Sequence, residues 1–199
     1  MDKIKTTHVG SLPRSNELSN LLFKKDKHEK IDISNFDEIV KRDVKKIVEK
    51  QINLGIDFIS DGEMSKISYA TYVKDRIDGF SGESERKAPQ DLDDFPSFKE
   101  RIARSGGTPT YTRPCCTHEL KIKDSLSLTK DINNFKSALE DNNHKQAFMN
   151  AASPGVISAF LPNKFYKDDD EYLDALSNIM ITEYCLLYTS DAADERRCV

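Results

Sequence analysis

No stretch of this 199-residue chain is apolar for long enough to cross a bilayer, so no membrane partner is expected. The first residues, Met1-Asp2-Lys3-Ile4-Lys5, lack the apolar core of a secretory signal, which makes the cytoplasm the expected location. An excess of one charge is missing too. The 30 lysines and arginines stand against 34 acids, a formal net charge of −4, and positive runs such as Lys24-Lys25-Asp26-Lys27 are broken by acids. A chain so balanced is not expected to partner nucleic acid, whose binding rests on neutralising phosphates. Cysteine is scarce. Cys115, Cys116, Cys185 and Cys198 show no Cys-x-x-Cys spacing and sit in no secreted context, which argues against a disulfide framework. Repeats and low-complexity tracts are absent as well. With 37% hydrophobic and 32% charged residues, what remains is one globular unit or part of a larger one.

The most informative stretch is Gly55-Ile56-Asp57-Phe58-Ile59-Ser60-Asp61-Gly62-Glu63. Its apolar core is too short for a helix and is punctuated by glycine on both sides, so it reads as a buried strand ending in a sharp turn. Asp61 and Glu63 then lie just past a strand's C-terminal end, the edge at which α/β barrels gather their chemistry. The plainer reading is a solvated turn with Asp61 capping the next helix.

The flanking sequence supplies the context. Lys5 to Ser11 is short, β-branched and stopped by Gly10 and Pro13, which predicts a first strand running into a loop. Gly10 would let backbone approach a ligand, and Ser11 offers a hydroxyl and an amide. His8 on that strand reads either as a hydrogen-bonded structural residue or as a ligand-facing one. A short helix is expected over Ser15 to Phe23. Ser34 to Leu54 is the clearest helix, with Ile39, Val40, Val44, Ile47, Val48 and Ile52 on one face, Ser34 and Asp37 as a capping box and Gly55 as the stop. Strand, long helix and strand with short links is the sequence form of a parallel βαβ unit. Beyond it, the spacing predicts a helix within Ile67 to Phe80, a polar excursion over Glu83 to Asp94 and a short helix over Phe98 to Arg104. Thr110 to Cys115 and His118 to Ile122 read as a strand pair or a bent strand, followed by a helix over Leu128 to Leu139. Gln146 to Ala152 reads as a strand, Ser153-Pro154-Gly155 as its rim loop and Tyr172 to Tyr184 as a further helix. Cys115, Cys116 and His118 form the one local Cys/His cluster, but adjacent residues on a strand point to opposite faces, which argues against a zinc site.

From Cys185 the chain reads Cys-Leu-Leu-Tyr-Thr-Ser-Asp-Ala-Ala-Asp-Glu, which resembles the conceptual translation of a sequencing adapter. Residues 185–199 are therefore expected to be foreign, and 1–184 to be the N-terminal part of an interrupted gene. The alternative is a genuine amphipathic helix end through Glu183-Tyr184-Cys185-Leu186-Leu187.

Taken together, Thr6-Thr7-His8-Val9-Gly10-Ser11-Leu12-Pro13-Arg14, Gly55 to Glu63, and Ala151 to Gly155 followed by Tyr172 to Tyr184 resemble the C-terminal-type catalytic domain of cobalamin-independent methionine synthase. They equally resemble its short single-domain relatives, including epoxyalkane:coenzyme M transferase-like proteins. The resemblance implies an α/β fold, a (β/α)8 TIM barrel of which this chain supplies about the first half. It implies that Val9, Gly10 and Ser11 hold the amino-acid part of homocysteine and that Glu63 pairs with its ammonium. Asp61 departs from the histidine usual before the Gly-Glu pair, and its extra negative charge suits a cation and disfavours a sulfonate.

The activity implied is transfer of a methyl group from 5-methyltetrahydrofolate to homocysteine. The implied cofactor is zinc, which would turn a neutral thiol into a thiolate, with methylated folate as donor. The family's zinc ligands, a His-x-Cys motif and a later cysteine, do not occur before residue 185, so no metal ligand is assigned and the fragment is expected to be inactive. Alternatives are a related alkyl transferase acting on a coenzyme M-type thiol, a decarboxylase-like barrel, and a non-catalytic half-barrel that binds an amino acid.

Overall fold

The computed structural model describes residues 4–84, 94–104, 112–142 and 146–189. Helix α1 (Asn16–Asp26) starts where the Ser15 side chain accepts from the Leu18 amide. Helix α2 (Ile33–Asn53) buries Phe36, Ile39, Val40, Val44, Ile47 and Val48 along one stripe. Its cap is Asp32, whose carboxylate accepts from Ser34 and Asn35, and not the expected box of Ser34 with Asp37; Asp37 pairs with Lys130 instead. Asp32 wins because it precedes the first turn and reaches two orphan amides at once.

Strand β1 (Ile59–Ser60) follows α2 directly. The segment expected as a first strand, Lys5 to Ser11, is reduced to a single parallel bridge between Thr7 and Phe58. A side chain is the reason. In a parallel ladder alternate residues face alternate neighbours, so Ile59 donates to the Gln146 carbonyl while Ser60 turns toward the Thr7 side. There Gln51, inside α2, donates to the Ser60 carbonyl at 2.8 Å and accepts from its amide at 3.2 Å. Strand pairing past Thr7 has nothing left to bond.

The expected helix over Ile67 to Phe80 is mostly replaced. Turns lead into a four-residue helix α3 (Val73–Arg76), and the chain becomes strand β2 (Ile77–Ser81). After α4 (Pro96–Arg104) comes β3 (Cys115–Ile122), which is one strand and the antiparallel partner of β2, with an irregularity between Asp78 and Phe80. Residues 85–93, within the predicted polar excursion, and residues 110 and 111 lie outside the described residues. Helix α5 (Leu126–Asp141) leads to β4 (Ala147–Phe148), parallel to β1 in the register Ile59 to Ala147 and Ser60 to Phe148. The strand expected through Ala152 stops early, and Ser153-Pro154-Gly155 opens helix α6 (Pro154–Phe160), with the Ser153 hydroxyl accepting from Val156 and proline in the first turn. Helix α7 (Asp169–Thr189) ends the described chain and includes Cys185 to Thr189, the start of the stretch expected to be foreign.

The described residues therefore form an α/β structure with two small sheets. One apolar cluster joins α1, α2, β1 and α5 through Leu18, Phe36, Val48, Ile59 and Phe135. A second joins β2, β3, α6 and α7 through Tyr72, Cys116, Ile157, Tyr172 and Met180. Met64 belongs to the first and Tyr72 to the second, so the segment leaving β1 bridges the two. No described helix is long and apolar enough to cross a membrane.

Candidate functional site

The turn after β1 is built from two successive residues of positive φ, Gly62 at 64° and Glu63 at 54°. Gly62 is required twice over: an added Cβ would stand 2.9 Å from Met64 Cε and 3.0 Å from Leu12 Cβ. Glu63 has no such excuse, and a left-handed conformation costs an L residue about 1–2 kcal/mol. Its neighbours hold it there. The Glu63 amide donates to Asp61 Oδ1 at 3.1 Å, so Asp61 closes this turn and caps no helix. The Glu63 carbonyl accepts from the Lys66 amide at 3.1 Å and from Arg14 Nη2 at 2.8 Å.

The same turn captures the N-terminal loop. Leu12 donates its amide to the Gly62 carbonyl at 3.0 Å, and the Ser11 hydroxyl donates to Glu63 Oε2 at 2.5 Å. Residues separated by more than fifty positions thus meet at one carboxylate. Glu63 Oε1 faces Asn150 Nδ2 at 3.5 Å, from the segment after β4, so the Thr7 segment, β1 and β4 all contribute to one edge. Of the residues singled out in the sequence, Ser11, Asp61 and Glu63 come together. Gly10 adopts φ 92° with open space around its α-carbon, and Val9 is exposed. His8 is exposed rather than buried on a strand, because the strand that would have buried it is not formed.

Behind Glu63 lies a buried charged network that the sequence reading did not assemble. Lys66 Nζ donates to the Asn150 carbonyl at 2.6 Å and stands over the Tyr72 ring, 4.4 Å from its centroid. Arg76 stands over the same ring at 4.8 Å and bonds Asp131 at 2.6 Å and Glu183 at 3.0 Å. The Tyr72 hydroxyl donates to Glu183 at 2.5 Å and accepts from the Ala152 amide at 3.3 Å. Burial pushes the Asp61 carboxyl above the ordinary carboxylate range, with Lys66 opposing, and pushes Asp131 up likewise against Arg76. Burial alone would lower Arg76, but Glu183 and Asp131 outweigh it and leave its pKa raised. Arg14 is lowered by burial, with Glu63 and Asp61 pulling the other way. Four acids, Asp61, Glu63, Asp131 and Glu183, surround Lys66 and Arg76, while Arg14 closes the outer side. Arg14 and Lys66 lie three residues from Ser11 and Glu63, but beyond that nearness they carried no signal of this role in sequence. Asn150 and Glu183 carried none, since only folding brings them in.

The profile of the family described as "Cobalamin-independent synthase, Catalytic domain" matches residues 4–127, more than half of the chain. The chain belongs to this family. Its architecture is similar to that of a B12-independent methionine synthase from Shewanella sp. W3-18-1 solved in complex with selenomethionine, with a TM-score of 0.65 and 17% identity over 93% of this chain and 48% of that one. It is similar also to a putative vitamin-B12 independent methionine synthase from Listeria monocytogenes, with a TM-score of 0.60 and 17% identity over 95% of this chain and 50% of that one. The chain thus spans about half the length of these solved structures. No curated protein matches it.

The synthase resemblance implies a zinc ion, which needs three or four converging nitrogen, sulfur or oxygen donors. Among the described residues no three His, Cys, Asp or Glu side chains converge to hold a metal ion. Cys115 and Cys116 are both buried in β3, where Cys116 donates to the His118 carbonyl at 3.4 Å and burial pushes its thiol up to about 11. A thiol held neutral this way is the opposite of a zinc thiolate. The described residues do not fit zinc.

Proposed function

We propose that this chain is the substrate-holding part of a cobalamin-independent methyltransferase that moves a methyl group from a methylated folate to homocysteine, and that its own task is to bind the amino-acid end of the thiol. The observation that carries this reading is the contact of the Ser11 hydroxyl with Glu63 at 2.5 Å, which joins the Val9-Gly10-Ser11 loop to a buried carboxylate. Glu63 takes the ammonium, with Asp61 adding negative charge behind it, and the loop faces the substrate carboxylate. The Shewanella enzyme's complex with selenomethionine, itself an amino acid, supports a zwitterion as the ligand. In this reading residues 1–184 are about the first half of a TIM barrel, residues 185–199 are foreign sequence, and the zinc ligands belong to the later half of the barrel.

The coenzyme M-type alternative is less well supported. A sulfonate near Asp61 and Glu63, 3% and 2% exposed, would meet like charge in a poorly solvated site. Isothermal titration of the chain with homocysteine, its desamino analogue 4-mercaptobutyrate, and coenzyme M tests the proposal. Homocysteine is expected to bind at least tenfold more tightly than either anion, the worth of about one charge-assisted hydrogen bond. Equal affinities, or preference for the sulfonate, would overturn it. A non-catalytic amino-acid-binding half-barrel would share this binding, and would differ in showing no methyl transfer when zinc and the remainder of the barrel are supplied.

A further inference from the structure

We propose that Arg14 is the positioning residue that sets Glu63 for an ammonium ligand; this rests on the reading above of Glu63 as the ammonium partner. One guanidinium nitrogen, Nη2, lies 2.8 Å from the Glu63 carbonyl, 2.6 Å from the Lys66 carbonyl and 3.4 Å from Ser11 Oγ. The first two contacts staple both ends of the turn from Glu63 to Lys66 and hold Glu63 in its left-handed backbone. The third is a longer approach that brings Ser11 alongside. A carboxylate oxygen only accepts, so Ser11 Oγ donates to Glu63 Oε2, while its lone pairs face Arg14 Nη2, whose two N–H groups are taken by the two carbonyls. The Ser11 proton is thus committed to Oε2, and the other oxygen, Oε1, has only the longer 3.5 Å approach of Asn150 Nδ2, which makes it the oxygen we assign to the ammonium. Arg14 is half-buried and the acids Glu63 and Asp61 act on its charge, so it also keeps the negative cluster from being over-charged before a ligand arrives.

Lysine reproduces this only in part, since its ammonium can donate to a carbonyl but sits on a flexible stem as a strongly hydrated point charge, without the fixed plane of the guanidinium. The test is the ratio of affinities for homocysteine and its desamino analogue, measured with the full chain and with R14K and R14A alongside thermal melts. A positioning Arg14 requires that R14A lose the ratio by on the order of tenfold, the cost of a misplaced partner group, and that R14K retain part of it. A merely structural Arg14 lowers the melting temperature of both variants while the ratio stays at the wild-type value, and that result overturns the proposal. If R14A fails to fold, R14K alone decides between the two by whether its ratio falls. Wild-type protein that binds both thiols equally would mean that the Glu63 reading itself has failed, and this inference with it.

Discussion

At Glu63 a strained backbone, a buried carboxylate and two side-chain donors coincide. Replacing it by glutamine keeps the shape and removes the charge. We expect E63Q to weaken homocysteine binding by about 1.5–3 kcal/mol, the worth of a hydrogen bond to a charged group, with 4-mercaptobutyrate affected far less; titration calorimetry measures both. Asp61 adds a pH dependence. Burial holds its carboxyl protonated to higher pH than an ordinary aspartate, so its charge appears only as pH rises through that raised value. The homocysteine ammonium stays charged over the same range, so affinity is expected to rise with pH through the titration of Asp61, and this rise to vanish in D61N. The sign for stability is opposite. A carboxyl whose folded pKa is raised contributes stability fully present below its unfolded pKa, and loses it as pH rises through the folded value. D61N is therefore expected to melt no lower than wild type at pH 7, with its relative advantage shrinking toward pH 4.

Among the elements, Arg76 at the junction of α3 and β2 ties α5 and α7 together through Asp131 and Glu183. R76M leaves both acids buried without their partner and is expected to cost about 3–5 kcal/mol in urea unfolding. At α6, S153A removes the N-cap and should cost about 1 kcal/mol by the same measurement. The helices with long apolar stripes were legible in sequence: α2 from its three- and four-residue spacing, α5 and α7 to within a few positions at their starts. The strands were less so, because their lengths are set by partners that local pattern does not encode. Gln51 ends the Thr7 pairing from inside a helix, and Ile77 leaves the helical period begun at Tyr69 because Ile122 pairs with it across β3. At the candidate site, the motifs singled out Ser11, Asp61 and Glu63, which the fold brings together. Arg14, Lys66 and Asn150 were not legible, since what matters there is backbone carbonyls and amide reach, which sequence spacing does not display.

On the scale of the whole molecule, the described residues place three short parallel segments side by side, those of Thr7, β1 and β4. The half-barrel reading expects such a sheet to seek further strands, so the chain should self-associate in sedimentation velocity and become monomeric when the remainder of a synthase barrel is supplied. Glu183 and Tyr184 anchor α7, to Arg76 and to the Ala152 carbonyl, before the stretch read as foreign begins. Deleting residues 185–199 should therefore leave ligand binding unchanged. The most direct measurement of the central claim is calorimetric titration of the purified chain with homocysteine and 4-mercaptobutyrate, in wild type and E63Q. The account expects a preference of tenfold or more for homocysteine that disappears in E63Q. A wild-type chain that does not distinguish the two thiols, or an E63Q chain that still does, would contradict it.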